Sequence, residues 1–507
     1  MTLLVLLCAA GAWLGFANPF LQVPPAALLL PLGLLCIAAR AKGAKAAMKT
    51  GWLAGTLAGS GCLYWIYIPV QHYGNLPWYL ALPCPLLLAS ALGVYYGLFT
   101  LFMQRALRRF SPLLVPLCAG FLWAGMEWCM GRLLTGFSWL TLSSAVAPWP
   151  WAVQGASLIG AYGLSGALAA VAAGLALASR HVQALVPALI LAAGLGFFGW
   201  QNVRQADFQG PAAHVALIQG NIDQSLKWDP EYQVATVEKY ARLSAQALES
   251  GKLDLLVWPE TALPFYFQES SPLRDRVTGF VHAHGTALLA GAPAYVPATP
   301  PAVPQLLNRA YLLGPDGREA GRYDKEHLVP FGEYVPLGQW LPLGKLVESV
   351  GDFSSGHNER ALTSGAIALG TLVCYEGIFP ELAQRRVEQG ANLLVSISND
   401  AWFGDSSAPW QHLQLTILRA VEQGRWLARA TNTGVSLVID PLGRITAKSG
   451  LFVEAAVRGE VRLESGTTFF HRTFRVQTWI LTGTAALLAL ACLLAPAGTA
   501  PRRRLRG

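Results

Sequence analysis

Gly370-Thr371-Leu372-Val373-Cys374-Tyr375-Glu376-Gly377 is the stretch on which the reading of this chain turns. The run from Ile367 to Val373 is apolar and β-favouring, and it delivers a cysteine to a point where the next residues do not comfortably continue a buried strand. A thiol displayed where a strand breaks into a loop stands where catalytic groups tend to stand. The other cysteines, Cys8, Cys36, Cys62, Cys84, Cys118, Cys129 and Cys492, all lie in or beside strongly apolar segments. Cys374 is alone in the polar half and has no sequence-local partner for a disulfide or a metal site.

Outward from that stretch, composition divides the chain. Of 507 residues, 53% are hydrophobic and 13% charged, where soluble domains carry roughly a quarter charged residues. The apolar residues concentrate before about residue 200 and again near the C-terminus. This predicts a membrane bundle over 1–204, a globular domain over 205–473, and a closing membrane helix with a basic tail over 474–507. A spanning helix needs roughly 20 mainly apolar residues. About eight stretches qualify: Leu3–Phe20, Val23–Ala39, Gly51–Val70, Pro77–Met103, Pro112–Met130, Trp151–Ser179, Val182–Trp200 and Val476–Pro496. The first has no basic leading region and another follows almost at once, so it reads as an uncleaved anchor rather than a signal peptide.

Short loops rich in lysine and arginine stay on the cytoplasmic side. Arg40, Lys42, Lys45 and Lys49 follow the second expected span, Arg105, Arg108 and Arg109 the fourth, Arg180 the sixth, and Arg502, Arg503, Arg504 and Arg506 close the chain. The alternate loops carry essentially only Arg132. Both termini are therefore expected in the cytoplasm and the globular domain outside it. The net charge of +8 is a topology signal and not a nucleic-acid footprint. Outside the cytoplasm a lone thiol is unusual, which favours a chemical role for Cys374.

Within the bundle, Glu127 is an ionisable residue in an expected span, either functional or paired with Arg132. Thr135 to Trp139, with Trp149 and Trp151, reads as an aromatic belt at the outer interface. The globular part alternates strand candidates (214–222, 253–258, 287–295, 307–314, 367–374, 393–398, 434–440) with helix candidates (230–250, 272–284, 380–389, 410–430), as an α/β layered sandwich does. Two loops are apolar, Leu263 to Phe267 and Val335 to Leu343 with Trp340. Each either meets the bilayer or folds back on the core.

Three stretches carry the chemistry: Trp258-Pro259-Glu260, Tyr323-Asp324-Lys325 continuing to Glu333, and Cys374-Tyr375-Glu376. A thiolate attacks carbonyls well, and a nearby cation or base makes it available near neutral pH. Taken with Gln219-Gly220-Asn221, Lys227-Trp228 and Ser398-Asn399-Asp400-Ala401-Trp402-Phe403-Gly404, these contexts resemble the nitrilase superfamily. The membrane bundle around the domain narrows the resemblance to the apolipoprotein N-acyltransferases. It covers essentially the whole chain and departs from the pattern at no motif position.

The resemblance implies an α-β-β-α sandwich in a bacterial inner membrane protein, with the catalytic domain periplasmic. It implies transfer of a fatty acyl chain from a phospholipid, typically phosphatidylethanolamine, to the α-amine of a diacylglyceryl-modified apolipoprotein N-terminal cysteine. The route would be a ping-pong thioester; separately, the sequence shows no phosphate-binding glycine loop, metal-ligand spacing or haem motif, so no cofactor and no metal are expected. Carried over by position, Cys374 is the nucleophile, Glu260 the general base and Lys325 the oxyanion stabiliser. Glu333, Tyr375 and Glu376 support the site and Trp228 relates to substrate binding. Glu333 and Glu376 also fit purely structural hydrogen bonding, Trp228 fits a core position, and Asn399 and Trp402 read as scaffold. Two rival readings remain: a membrane-anchored nitrilase-type amidase, and a non-catalytic lipid-binding or transport protein.

Overall fold

The computed structural model describes residues 1–74, 76–224, 227, 229–298, 303–335 and 352–494. Twelve strands lie among them: β1 (Ala212–Gln219), β2 (Leu255–Val257), β3 (Ala287–Val296), β4 (Gln305–Leu313), β5 (Glu319–Asp324), β6 (Leu362–Ser364), β7 (Ile367–Val373), β8 (Leu393–Ser398), β9 (Leu427–Thr431), β10 (Leu437–Ile439), β11 (Ile445–Lys448) and β12 (Ala455–Arg462). They form two six-stranded sheets, ordered β12-β1-β2-β3-β4-β5 and β11-β10-β9-β8-β7-β6.

Side-chain alternation explains the layering. Along β7, Ile367, Leu369 and Val373 enter the core between the sheets, where they meet Leu217, Val257 and Leu289 of the first sheet and Val395 and Ile397 of β8. Leu372 points the other way, onto the helices Pro380–Glu388 and Ala408–Gln423. The outer face of the first sheet is covered by Pro230–Glu249 and Pro272–His284, whose Tyr240, Val277 and Val281 pack on Ala216, Leu256 and Leu288. The domain is thus the expected helix–sheet–sheet–helix sandwich, and the two helices on the first sheet start where Asp229 and Ser271 side chains cap the first turn.

The expectation of one helix over 410–430 is corrected. The helix ends at Gln423, Gly424 adopts φ 61 in the left-handed region, and the chain re-enters the sheet as β9. Strands β5, β6, β9, β11 and β12 also escaped the sequence reading. Several of them carry polar edges, such as the Glu-Ala-Gly-Arg-Tyr-Asp of β5.

The expected eight spans are corrected as well. Among the described residues four helices are long and apolar enough to cross a membrane: Trp78–Arg109, Ala156–Leu177, Val182–Arg204 and Phe469–Leu494. A fifth span forms if Ala44–Cys62 and Tyr64–Tyr73, bent by 61°, are counted together. Thr2–Gly15, Pro24–Arg40 and Val115–Met130 are apolar but short. The 14 residues of the first reach about 21 Å, against a hydrocarbon core of roughly 30 Å.

The globular domain is seated in the bundle. Ala408–Gln423 is buried along nearly its whole length. Its Gln411 accepts from Trp65 Nε1 at 3.0 Å and Trp139 Nε1 at 2.8 Å and donates to the carbonyls of Ala17 and Cys62, both at 3.1 Å. Trp139 is therefore no interfacial belt residue. It is 2% exposed and stacks 6.3 Å from Tyr375. Glu127 is not paired with Arg132 either: it accepts from Trp123 Nε1 and Leu142 N, both at 2.8 Å, while Arg132 reaches Glu381 at 3.4 Å. The Leu263 to Phe267 loop folds onto the core, with Leu263 and Phe267 each 1% exposed. Of the second apolar loop only Val335 lies within the described residues.

Candidate active site

Strand polarity gathers the site. β2 and β3 are parallel, as are β7, β8 and β9. β5 runs antiparallel to β4, which runs antiparallel to β3, so β5 shares the direction of β2. Glu260 follows β2, Lys325 follows β5, Cys374 follows β7 and Asn399 follows β8, all at carboxyl ends. The crevice outside such ends is where layered α/β sheets hold ligands.

Lys325 is 1% exposed and lies between two carboxylates. Its Nζ is 2.9 Å from Glu333 Oε2 and 3.6 Å from Glu260 Oε1. Burial opposes its charge, but Glu333, Glu260 and Cys374 outweigh that and hold its pKa well above the ordinary lysine value. Glu260 also accepts from Asn308 Nδ2 at 2.7 Å and Asn399 N at 2.9 Å. Asn308 Nδ2 bridges on to Glu333 Oε1 at 2.9 Å, and Val329 N binds Glu333 Oε2 at 2.8 Å. A carboxylate fixed by these donors is aimed, not free to rotate. Gly291 in β3 is required behind it, since a Cβ there would lie 2.7 Å from Glu260 Cα. Lys227, 1% exposed, donates to Thr261 Oγ1 at 2.6 Å and the Glu260 carbonyl at 3.3 Å. Burial pushes its pKa down to about 7, partly opposed by Glu260.

Cys374 opens a short helical turn, Cys374–Ile378, with φ 53, a left-handed conformation rare for a residue with a Cβ. The residue is 7% exposed. Burial holds its thiol well above the ordinary cysteine pKa, reinforced by Glu260 and Asp400 and countered by Lys325 and Ser398. Glu376, fully buried, accepts from Val373 N at 2.7 Å, Glu326 N at 2.7 Å, His327 N at 3.1 Å and Tyr323 OH. It splices the Lys325 segment to the Cys374 turn. Tyr375 donates its hydroxyl to the Gly136 carbonyl at 2.8 Å and His327 Nε2 lies 3.0 Å from the Thr135 carbonyl, tying the turn to the bundle.

The structure thus brings together Glu260, Lys325, Glu333, Cys374, Tyr375 and Glu376. Trp228 lies outside the described residues. Sequence reasoning missed Asn308, Gly291 and His412, which sit in strand or helix interiors with no motif around them. Asn399 was read only as scaffold, yet its backbone N–H touches Glu260. Trp402 packs edge-on to Tyr73 of the bent membrane segment at 4.8 Å.

Comparison with known proteins follows the same division of the chain. Residues 214–468 match the carbon-nitrogen hydrolase family and residues 10–174 the apolipoprotein N-acyltransferase N-terminal domain. An apolipoprotein N-acyltransferase of Geobacter metallireducens is 40% identical over 491 residues, covering 95% of this chain and 93% of the relative. One from Azotobacter vinelandii is 36% identical over 496 residues, covering 96% and 93%. Among solved structures, a mutant of a nitrilase-superfamily amidase from Nesterenkonia aligns over 52% of this chain and 96% of its own, at 21% identity and a TM-score of 0.38.

Proposed function

The chain belongs to the apolipoprotein N-acyltransferase family, and from that premise we propose that Cys374, Glu260 and Lys325 carry its acyl transfer. It is a multi-pass membrane N-acyltransferase of lipoprotein maturation. The observation that carries the assignment is Lys325, enclosed between Glu260 and Glu333, with the buried Cys374 among the groups that favour its charge.

Glu260 takes the thiol proton as sulfur attacks the ester carbonyl of a phospholipid. The carbonyl oxygen becomes an oxyanion held by Lys325 Nζ and the Tyr375 N–H. Collapse breaks the ester C–O bond, and the Glu260 proton passes to the departing lysophospholipid oxygen. The thioester on Cys374 then meets the α-amine of the diacylglyceryl-cysteine acceptor. Glu260 takes the amine proton, the same hole holds the second oxyanion, and sulfur leaves to regain its proton. Phosphatidylethanolamine is the donor we favour, on the family resemblance.

Seating of the domain in the bundle supports a reaction between two substrates anchored in one leaflet. Orientation follows from charge. Phe469–Leu494 starts beside the globular domain, where Thr468 Oγ1 binds the Glu422 carbonyl, and ends where Arg105 and Arg109 donate to the carbonyls of Cys492 and Ala491, both at 3.2 Å. Arg105 and Arg109 thus sit at the end of that helix away from the domain, which supports a cytoplasmic basic end and a periplasmic domain.

The test is mass spectrometry of the full-length protein incubated with phosphatidylethanolamine. A fatty acyl adduct on Cys374, discharged by a diacylglyceryl-cysteine peptide that gains a third chain, is the expected result. An adduct that persists elsewhere in Cys374→Ala, or ammonia release from small amides without transfer to the peptide, would overturn it.

A further inference from the structure

The turn after β7 contains an arrangement that the acyl-transfer residues alone do not explain. The peptide joining Cys374 to Tyr375 is planar, so its carbonyl and its N–H point in opposite directions. As one of the first donors of the Cys374–Ile378 turn, the Tyr375 N–H has no partner within it, and it makes no other hydrogen bond among the described residues. The carbonyl of the same peptide is held: His412 Nε2 lies 3.0 Å from Cys374 O.

His412 is fully buried on Ala408–Gln423 and is itself fixed. Arg429 Nη2 lies 3.0 Å from His412 Nδ1 and 2.9 Å from Asp400 Oδ2. Ser398 Oγ donates to Asp400 Oδ1 at 2.7 Å, Asp400 Oδ1 is 3.3 Å from His412 Nδ1, and the Trp139 ring packs 5.4 Å away. A guanidinium only donates and a carbonyl only accepts. Neutral His412 therefore offers its Nδ1 lone pair to Arg429 and its Nε2–H to Cys374 O, which is a single tautomer in a single ring orientation. The strained φ of 53 at Cys374 is the kind of conformation that persists only where surrounding contacts over-determine it.

We propose that His412, held by Arg429, which Asp400 in turn anchors, is the positioning residue that aims the Tyr375 N–H into the oxyanion hole by holding the Cys374 carbonyl on the opposite side. This rests on the reading of Cys374 as nucleophile. His412 touches no reacting atom. When its hold is lost the peptide plane rotates, the N–H swings away, and the carbonyl oxygen faces the developing negative charge. Both tetrahedral intermediates use the same hole, so both half-reactions depend on it.

The experiment compares the full-length protein with His412→Leu and His412→Gln in detergent. It measures single-turnover acylation by phosphatidylethanolamine, discharge to a diacylglyceryl-cysteine peptide, alkylation of Cys374 by iodoacetamide, and melting temperature. Alkylation needs the thiolate but forms no oxyanion. The Leu variant is expected to lose about a hundredfold in both acylation and discharge while its alkylation rate stays within about threefold. The Gln variant, which restores an N–H donor, is expected to recover most of the loss. Acylation by His412→Leu at the wild-type rate overturns the proposal. So does parallel loss of acylation, alkylation and melting temperature in both variants, which marks His412 as packing only. A wild-type protein that forms no Cys374 adduct instead brings down the nucleophile assignment beneath it.

Discussion

Lys325 is stabilised in its charged form by two carboxylates of different standing. Glu333 is the nearer, at 2.9 Å, and Glu260 the farther, at 3.6 Å. Glu333→Gln removes the nearer partner, so Lys325 turns to Glu260 and competes with the thiol for its carboxylate. Acyl transfer should fall about tenfold to a hundredfold with lesser change in donor binding, read as kcat against KM in a peptide acylation assay. Asp400 gives a pH prediction. Burial raises its pKa, but Arg429, helped by the Ser398 hydroxyl, outweighs burial and holds it below the usual carboxylate range. The folded-state value lies under the unfolded one, so its contribution is present above about pH 4 and is lost as pH falls through the folded value. Melting temperatures of wild type and Asp400→Asn should differ most at neutral pH and converge in acid. Cys374 and Glu260 stood out because each follows an apolar strand and interrupts it, whereas Lys325 follows the polar strand β5 and stood out only through the motif that runs on to Glu333. Asn308 and His412 were not, because a polar residue inside β4 or a buried helix acquires its partner only when distant chain segments meet.

Among the elements, Ala408–Gln423 does the most to join the domain to the membrane. Gln411 satisfies two indole N–H groups and two backbone carbonyls from three separate segments of the bundle. Gln411→Leu is close in volume but leaves those groups buried and unpaired, at about 1–3 kcal/mol each by the usual cost of an orphaned polar group. The measurement is thermal unfolding in detergent, where the variant should melt several degrees lower. Cys374 alkylation should also rise as the turn loosens. Periodicity found this helix but overran it, because the Leu-Ala-Arg-Ala run that opens β9 is equally compatible with a helix and only the left-handed Gly424 separates the two. The spans show the converse limit. Apolar content located the four membrane-length helices among the described residues, yet a stretch of 20 apolar residues does not fix how many of them become helical, as the 14-residue first helix shows.

At the scale of the whole molecule, bundle and domain share one apolar core. Trp65, Trp123, Trp139 and Leu142 of the bundle lie in the same cluster as Leu372, Tyr375, Phe379, Leu413 and Ile417 of the domain. The sequence separated the two by composition and so foresaw both parts, but it could not see that the second sheet's helix layer is completed by membrane helices rather than by water. Soluble sandwiches of this kind cover that layer themselves or bury it against a partner. Expressed alone, residues 205–468 would expose the Leu413 and Ile417 face together with Tyr375 and Phe379, a contiguous apolar surface of the kind that drives association. The excised domain is therefore expected to aggregate or to partition into detergent, measured by size-exclusion chromatography with light scattering. A monomeric, detergent-free domain whose Cys374 alkylates at the full-length rate would refute this. The first sheet and its outer helices have their own core, with Tyr240, Trp258 and Tyr311 fully or almost fully buried. Destabilisation in the excised domain should therefore begin on the Cys374 side, visible as early hydrogen exchange in β7 and in the turn Cys374–Ile378 while β1 to β3 remain protected.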